Sequence, residues 1–387
     1  MADREELRPI LRRLQSANYA SVFDRYTMPP SLVAISAGLD VPISQVAAAA
    51  SAYFLAYGLM QPLWGMVSER AGLARTMRWA ALAGSCATAA SMFAQGSASL
   101  IVTRVLAGAF FGAIVPTSLI YAGGAFPSES RQRGLTTLMK GNALGTAMST
   151  VVAGGVVAVL GWRWVFALSM AVGFTACVFL TRLPEAPRPP RRSSSLAPIR
   201  RVLGNRAALI LFALVFLEGG AIIGCLTFVP AAIESAGGGT VLASSTITLY
   251  GVGVLALAGV VGRLSRRLSA SRLIAVGAGC GALACALMAG SPTVAVAFLC
   301  CALLGAAWAF SHSSLQTWAT QVAPGERSTA VSFFAASLFA GNAASAASGG
   351  HLLGTGHLWA QFSGCAVLLV IVGVAGAVAR ARWERAG

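Results

Sequence analysis

Long apolar runs recur along almost the whole chain, and their length is the feature that most limits its fold. A helix needs about 20 mostly apolar residues to cross the hydrocarbon core of a bilayer. Within lipid, every backbone polar group must be bonded internally, so such runs have to be helical. The sequence therefore predicts an all-α integral membrane protein with twelve transmembrane helices, numbered here as spans 1 to 12. They cover roughly 17–38, 45–67, 76–95, 98–121, 134–158, 163–181, 207–231, 240–262, 271–290, 294–320, 329–352 and 358–380.

The composition supports lipid as the solvent. Of the 387 residues, 57% are hydrophobic and only 10% are charged, whereas a soluble domain carries about 25% charged residues. The formal charge of +16 does not indicate nucleic-acid binding, because the basic residues lie between apolar runs and not along one groove-facing element. All eight cysteines fall inside apolar runs, which predicts buried thiols and no disulfide framework or metal site.

The basic residues orient the spans. With the N-terminus inside, 25 of the 28 basic residues lie in the termini and in connections on the inner side, and Arg163 alone lies in an outer connection. The positive-inside rule therefore predicts that both termini are cytoplasmic.

One long hydrophilic interruption divides the spans into two groups of six. Residues 182–206 are rich in Pro, Ser and Arg, a composition typical of a mobile linker. The predicted organisation is a cytoplasmic segment at 1–16, a six-helix bundle at 17–181, a linker at 182–206, a second bundle at 207–380 and a cytoplasmic tail at 381–387. The first segment is expected to form a short amphipathic helix on the inner membrane surface.

A charged stretch after span 2 has a distinctive pattern. Gly65, Glu69, Arg70, Gly72 and Arg75 have the spacing G-x-x-x-E-R-x-G-x-x-R. This pattern resembles the loop between helices 2 and 3 of the major facilitator superfamily, with Glu in place of the usual Asp. Its position between two apolar runs predicts a connection of about ten residues. The resemblance implies that this connection acts as a cytoplasmic gate, with Glu69 paired to an arginine or a helix N-terminus while the protein faces outward.

Two further motifs narrow the resemblance. Asp24 lies eleven residues before Ile35 in span 1, and Arg104 lies four residues before Gly108 in span 4. Both spacings are similar to those of the bacterial twelve-helix drug–proton antiporters of this superfamily. The resemblance implies two six-helix bundles related by pseudo-twofold symmetry, a monomer in the bacterial inner membrane, and export of a small molecule in exchange for protons.

Charges inside the spans are the candidate proton-coupling groups, because an ionised side chain at mid-helix costs about 2.5–3.5 kcal/mol on insertion scales. Asp24 is interpreted as a proton-carrying or gate-forming carboxylate, or else as an interfacial acid paired with Arg25. Glu218 lies near the middle of span 7 and is interpreted as a proton or substrate site, the alternative being a structural hydrogen bond. Arg104 would tune a nearby carboxylate or bridge helices through backbone carbonyls.

Polar and aromatic side chains at helical spacing are the candidate cavity wall. Trp308, His312 and Gln316 follow one another at intervals of four in span 10, which predicts one shared face. His312 could belong to a proton relay or form a hydrogen bond between helices. The full set comprises Tyr53, Tyr57, Gln61, Trp308, His312, Gln316 and Asn342.

The sequence leaves several functions open. No phosphate-binding loop, catalytic triad spacing or metal cluster occurs, so the chain is expected to be no enzyme and to need no cofactor. The favoured function is a secondary transporter exporting a small, partly hydrophobic molecule. The alternatives are a lipid or lysolipid flippase, a solute facilitator without proton coupling, or a membrane sensor or scaffold that transports nothing.

Overall fold

The computed structural model describes residues 2–126, 128–186 and 197–386, and these ranges contain helices and no strand. Ten helical stretches within them are long and apolar enough to cross a membrane. The other two predicted spans coincide with α1 and α2 together and with α4. The all-α multi-span prediction is therefore confirmed. The helices are α1 Ala2–Arg25, α2 Leu32–Leu39, α3 Ile43–Ala71, α4 Leu73–Met92, α5 Ser97–Phe111, α6 Ile114–Ala125, α7 Ser128–Leu160, α8 Trp162–Thr181, α9 Ala197–Leu203, α10 Arg206–Ser235, α11 Thr240–Ser245, α12 Thr248–Leu264, α13 Ala270–Gly290, α14 Val294–Ala307, α15 Ser313–Ala319, α16 Arg327–Gly354 and α17 Leu358–Ala386.

Span 1 is broken in the middle, although the sequence predicted one helix. Pro29 and Pro30 cannot donate backbone hydrogen bonds, so α1 ends at Arg25 and a 3₁₀ turn, Pro29–Ser31, leads into α2. Side-chain hydroxyls bond carbonyls at the break: Thr27 donates to the Asp24 carbonyl and Ser31 to the Thr27 carbonyl, each at 2.7 Å. Asp24 and Arg25 therefore lie at the end of a helix and not in the middle of one.

The N-terminal segment is part of span 1. The predicted separate surface helix is not observed, because α1 already begins at Ala2. Leu7, Ile10 and Leu11 pack against the core, and Leu14 is fully buried in it. These four residues repeat at helical spacing, so they form an apolar stripe that extends the packed face of span 1 toward the N-terminus of α1.

The charged connection after span 2 is much shorter than predicted. Glu69 and Arg70 belong to the last turn of α3, and α4 begins at Leu73, so Gly72 alone joins the two helices. Gly72 has φ of 100° and ψ of 145°, a conformation that is essentially restricted to glycine. The expected ten-residue loop was wrong, because both helices continue through the charged residues.

The linker packs against this turn. The Glu185 carboxylate accepts hydrogen bonds from the backbone amides of Ala74, at 2.9 Å, and Arg75, at 3.2 Å. It therefore caps the N-terminus of α4, where a negative charge is favoured. Farther along the linker, Arg201 pairs with Glu326 at the start of α16. The predicted linker residues 187–196 lie outside the described residues.

Gly72→Ala is expected to destabilise the protein by about 1–3 kcal/mol, since alanine is strained at this φ and ψ. A Cβ at this position would lie 2.7 Å from the Glu185 carboxyl carbon, so the cap on α4 would also be displaced. Gly65→Ala is the matched control, because a Cβ at Gly65 would meet nothing within 4 Å. Thermal unfolding in detergent measures both variants. An equal midpoint for the two would contradict the prediction.

The two bundles meet along α3 and α16. We call the end of the molecule that carries Gly72 and α9 the arginine-rich end, and the other the opposite end. Ser51 of α3 donates to the carbonyl of Ala343 in α16 at 2.7 Å, and the rings of Tyr57 and Phe339 lie 4.6 Å apart. Nearer the opposite end, a Cβ on Gly350 would come within 2.2 Å of the Ala47 Cβ. These contacts join the bundles from the middle of the molecule to the opposite end.

Candidate functional site

A buried ion pair occupies the core of the first bundle. Asp24 and Arg104 are both fully buried, and Arg104 Nη1 lies 3.3 Å from Asp24 Oδ2. Two hydroxyls complete the carboxylate's hydrogen bonds: Thr88 and Ser169 donate to Asp24 Oδ1 at 2.7 and 2.9 Å. The predicted alternative, an ion pair between Asp24 and Arg25, is not observed.

The arginine of this pair is also fully bonded. Arg104 donates from Nη2 to Thr88 at 2.9 Å and from Nε to Ser91 at 3.0 Å, and its guanidinium lies 4.7 Å from the centre of the Phe166 ring. A buried charge needs such partners, because taking it out of water is costly. The pair thereby connects α1, α4, α5 and α8.

A second acid lies in the core of the other bundle. Glu218 of α10 is fully buried. Its Oε1 accepts a hydrogen bond from Ser311 at 2.6 Å, and its Oε2 lies 2.9 Å from His312 Nδ1. Unlike Asp24, this carboxylate has no arginine or lysine partner among the described residues. Its charge is balanced only when His312 is protonated.

A π-helical turn brings Ser311 and His312 to the same carboxylate. Residues Trp308–His312 form this turn between α14 and α15. A π turn holds more residues than an α turn and is frequent at functional sites, so two sequence neighbours can reach Glu218 together. The even four-residue spacing predicted for span 10 is interrupted here.

Close helix packing surrounds Glu218. A Cβ on Gly219 would lie 2.2 Å from the Leu338 carbonyl oxygen, and one on Gly341 would lie 1.8 Å from that of Phe216. Small residues are therefore required where α10 meets α16.

Arg25 lies where the bundles meet. Its guanidinium carbon is 5.1 Å from the Tyr26 ring centre and 5.4 Å from those of Tyr57 and Phe339. Tyr57 belongs to the first bundle and Phe339 to the second. Arg25 has no hydrogen-bond or ion-pair partner among the described residues, and its Nε is buried without one. We call Arg25, Tyr26, Tyr57 and Phe339 the arginine box.

Aromatic side chains connect α12 to Glu218. Tyr250 of α12 is buried. Its ring lies 6.2 Å from that of Trp308, and Trp308 stacks on His312 at 3.7 Å. Contacts therefore continue from Tyr250 through Trp308 and His312 to the second acid.

The other predicted cavity residues are placed differently. Tyr53 is buried and stacks on Tyr57 at 6.0 Å, and its hydroxyl has no hydrogen-bond partner among the described residues. Gln61 is buried, whereas Gln316 is exposed. Asn342 is fully buried, yet neither its amide nitrogen nor its amide oxygen bonds to any residue that the structure describes.

The charged side chains of the predicted gate make no ion pair within the described part of the chain. Glu69, Arg70 and Arg75 are exposed, and Glu69 has no ion pair among the described residues. The helix N-terminus that Glu69 might have capped is bound by Glu185 instead.

The hydroxyl partners of both acids and the position of Arg25 between the bundles were not predicted from the sequence. Serine and threonine are common along all the spans, so Thr88, Ser169 and Ser311 carry no distinguishing signal. Arg25 did carry one, because it directly precedes the break that Pro29 and Pro30 cause, but it was predicted only as a partner for Asp24.

The helices, bundle contacts and buried charges define a polytopic helical protein of the transporter type. The sequence matches the profile of the Major Facilitator Superfamily over residues 16–346, and the chain belongs to that family. The fold agrees: the solved structure of a D-xylose-proton symporter superposes with a TM-score of 0.77 at 15% identity, covering 95% of this chain and 96% of that one.

Curated relatives match over shorter stretches. The MFS-type transporter TwmF of Talaromyces wortmannii is 30% identical over 139 residues, 34% of this chain and 24% of its own length. The multi-drug resistance efflux pump PmrA of Streptococcus pneumoniae is 30% identical over 146 residues, 38% of this chain and 34% of its own length. The aligned stretches thus span about a quarter to a third of these relatives.

Proposed function

We propose that this protein exports a small, partly hydrophobic molecule across the bacterial inner membrane by alternating access, in exchange for protons that enter. The observation that carries the proposal is the Glu218–His312 contact of 2.9 Å. It places a buried carboxylate that has no arginine or lysine partner among the described residues next to an imidazole, a group that can bind and release a proton. Such a pair can take up and release a proton between the two orientations of the bundles.

The two acids have different roles in this proposal. Asp24 is held by Arg104 and two hydroxyls, so its charge is stabilised and it organises the first bundle. Among the described residues, Glu218 is bonded to Ser311 and His312 and to no arginine or lysine. When Glu218 takes up a proton and becomes neutral, no permanently charged side chain is therefore left without its counter-charge. Glu218 is therefore the proton carrier, and Asp24 with Arg104 supports the site.

The contacts between bundles also fit alternating access. They are established between the middle of the molecule and the opposite end, while Glu69 at the arginine-rich end has no ion pair with any described residue. This arrangement fits a conformation open toward the arginine-rich end, which the charge distribution predicts to be cytoplasmic. In the outward-facing state, Glu69 would acquire an ion-pair or helix N-terminal partner. The efflux pump PmrA among the relatives supports the outward direction of transport.

The test uses proteoliposomes that contain the purified protein, with its arginine-rich end outside, and a panel of fluorescent dyes in the external buffer. An internal pH below the external pH is expected to drive dye inward, and an uncoupler is expected to abolish that uptake. Dye uptake equal with and without the gradient would favour a facilitator without coupling. Movement of a fluorescent lysolipid, with no dye uptake, would favour the flippase. No movement of any compound would favour the sensor or scaffold.

A further inference from the structure

We propose that the arginine box binds the anionic group of the transported molecule, so that the substrate class is an organic anion with an aromatic or apolar body. The inference rests on the proposed function in one respect: the ligand of this site is the molecule that the protein moves. The site consists of Arg25 with Tyr26, Tyr57 and Phe339, together with Asn342 on the same helix as Phe339.

The charges around the centre of the molecule give the first argument. Asp24 is neutralised by Arg104 within the first bundle, and Glu218 is bonded to Ser311 and His312 within the second. Arg25 is then left with a positive charge and no acidic partner among the described residues. Arg25 is half-buried and its Nε is shielded from solvent, so its charge loses part of its hydration without gaining a counter-charge. An anionic ligand would supply that charge.

The bonding state of Arg25 gives the second argument. A guanidinium has five N–H donors in a planar arrangement that matches a carboxylate, and none of them is used by the described residues. Its neighbours are aromatic ring faces at 5.1 to 5.4 Å, which hold the cation in place without consuming its donors. The guanidinium is thus positioned and still free to bind a carboxylate.

Asn342 provides an independent observation. It lies three residues after Phe339 in α16, on the same side of that helix. It is fully buried, and both polar atoms of its amide lack hydrogen-bond partners within the described part of the chain. Buried amides are nearly always hydrogen-bonded, so an unsatisfied one next to the box indicates a ligand that offers hydrogen-bonding groups.

The surrounding aromatic rings determine which shape and polarity the rest of the ligand must have. Tyr57 and Phe339 contact each other at 4.6 Å across the bundle interface, and Tyr250 and Trp308 add a second pair of rings in contact. A flat apolar body fits such a surface. Because the box takes residues from both bundles, a bound anion would contact both and would respond to their relative movement.

The test is equilibrium binding of tritiated 2-naphthoate to the purified full chain in detergent, without a proton gradient. Unlabelled 2-naphthoate, the neutral 2-naphthamide and the cationic 2-naphthylmethylammonium compete with it. The wild type is expected to prefer the carboxylate to the amide about tenfold or more, since hydrogen bonds to charged groups are the stronger ones. Arg25→Gln is expected to abolish that preference, and Arg25→Lys to retain part of it.

The preference is a ratio measured within each variant, so it does not depend on how much of the variant folds. Arg163→Gln is the matched control: Arg163 also lies over an aromatic ring, 4.2 Å from that of Trp162, but it is exposed, and the preference should be unchanged. Equal binding of acid and amide by the wild type, an unchanged preference in Arg25→Gln, or no binding of any probe would overturn the inference. Because no gradient is applied, the result is independent of the dye-transport test, whose failure would count against the proposed function alone.

Discussion

Glu218→Gln is expected to abolish the coupling of transport to protons while leaving the fold intact. One proton entering across 100 mV supplies about 2.3 kcal/mol, which sustains a substrate gradient of about 50-fold. Glutamine keeps the size of the side chain and can still accept from Ser311, but it cannot carry a proton. The substrate gradient in proteoliposomes should therefore fall from tens-fold to near unity, while exchange of labelled for unlabelled substrate continues.

The matched control is Glu234→Gln, the same substitution on the same helix. Glu234 lies near the end of α10 and contacts neither His312 nor Ser311, so its variant should keep the gradient. A Glu218→Gln protein that still builds the wild-type gradient would eliminate Glu218 as the proton carrier. A Glu234→Gln protein that loses it would place the carrier elsewhere on α10.

Asp24→Asn is expected to cause the largest loss of stability among single conservative substitutions in the spans. It would leave Arg104 buried without its counter-charge, and breaking a buried ion pair by removing one partner costs about 3–5 kcal/mol. Arg104→Gln should cost a similar amount. The double variant should be destabilised by clearly less than the sum, because it leaves no buried charge unpaired. The midpoint of thermal unfolding in detergent measures all three.

An exposed pair serves as the comparison. Arg201 and Glu326 form an ion pair in which the Arg201 side chain is 62% exposed, and exposed pairs contribute about 0–1 kcal/mol. Glu326→Gln should therefore shift the midpoint little. If Asp24→Asn were as mild as Glu326→Gln, the pair with Arg104 would contribute little to folding, and Asp24 would have to be reconsidered as a titrating group.

The positions of the spans were predictable because the length of an apolar run is a property of the local sequence. Asp24, Arg104 and Glu218 were recognisable for a related reason: a charge within such a run is rare and needs a partner. The partners themselves were not recognisable. Whether Arg104 reaches Asp24, or Arg25 does, depends on how each helix is rotated about its axis, and rotation is determined by packing between distant segments.

Local irregularities of the helices also limited what could be predicted from the sequence. The charged residues from Glu69 to Arg75 suggested a loop, yet two helices continue through them to a single glycine at Gly72. Charge is compatible with a helix that extends past the membrane, so polarity alone could not place the helix end. The π turn at Trp308–His312 has no signal in the apolar pattern either, because its extra residue is accommodated by packing around Glu218.

The interruption of span 1 between Arg25 and Leu32 has a mechanical consequence. Because the hydroxyls of Thr27 and Ser31 already bond carbonyls there, the angle between α1 and α2 can change without breaking a full turn of backbone hydrogen bonds. The interruption can therefore act as a soft joint inside an otherwise stiff bundle. Asp24 and Arg25 both belong to the last turn of α1, so a small bend at that joint would move them together, although they lie on different faces of the helix. Bending would thus link ligand binding at the interface between the bundles, where Arg25 lies, to the interior of the first bundle, where Asp24 lies. The two residues are joined by a single peptide unit.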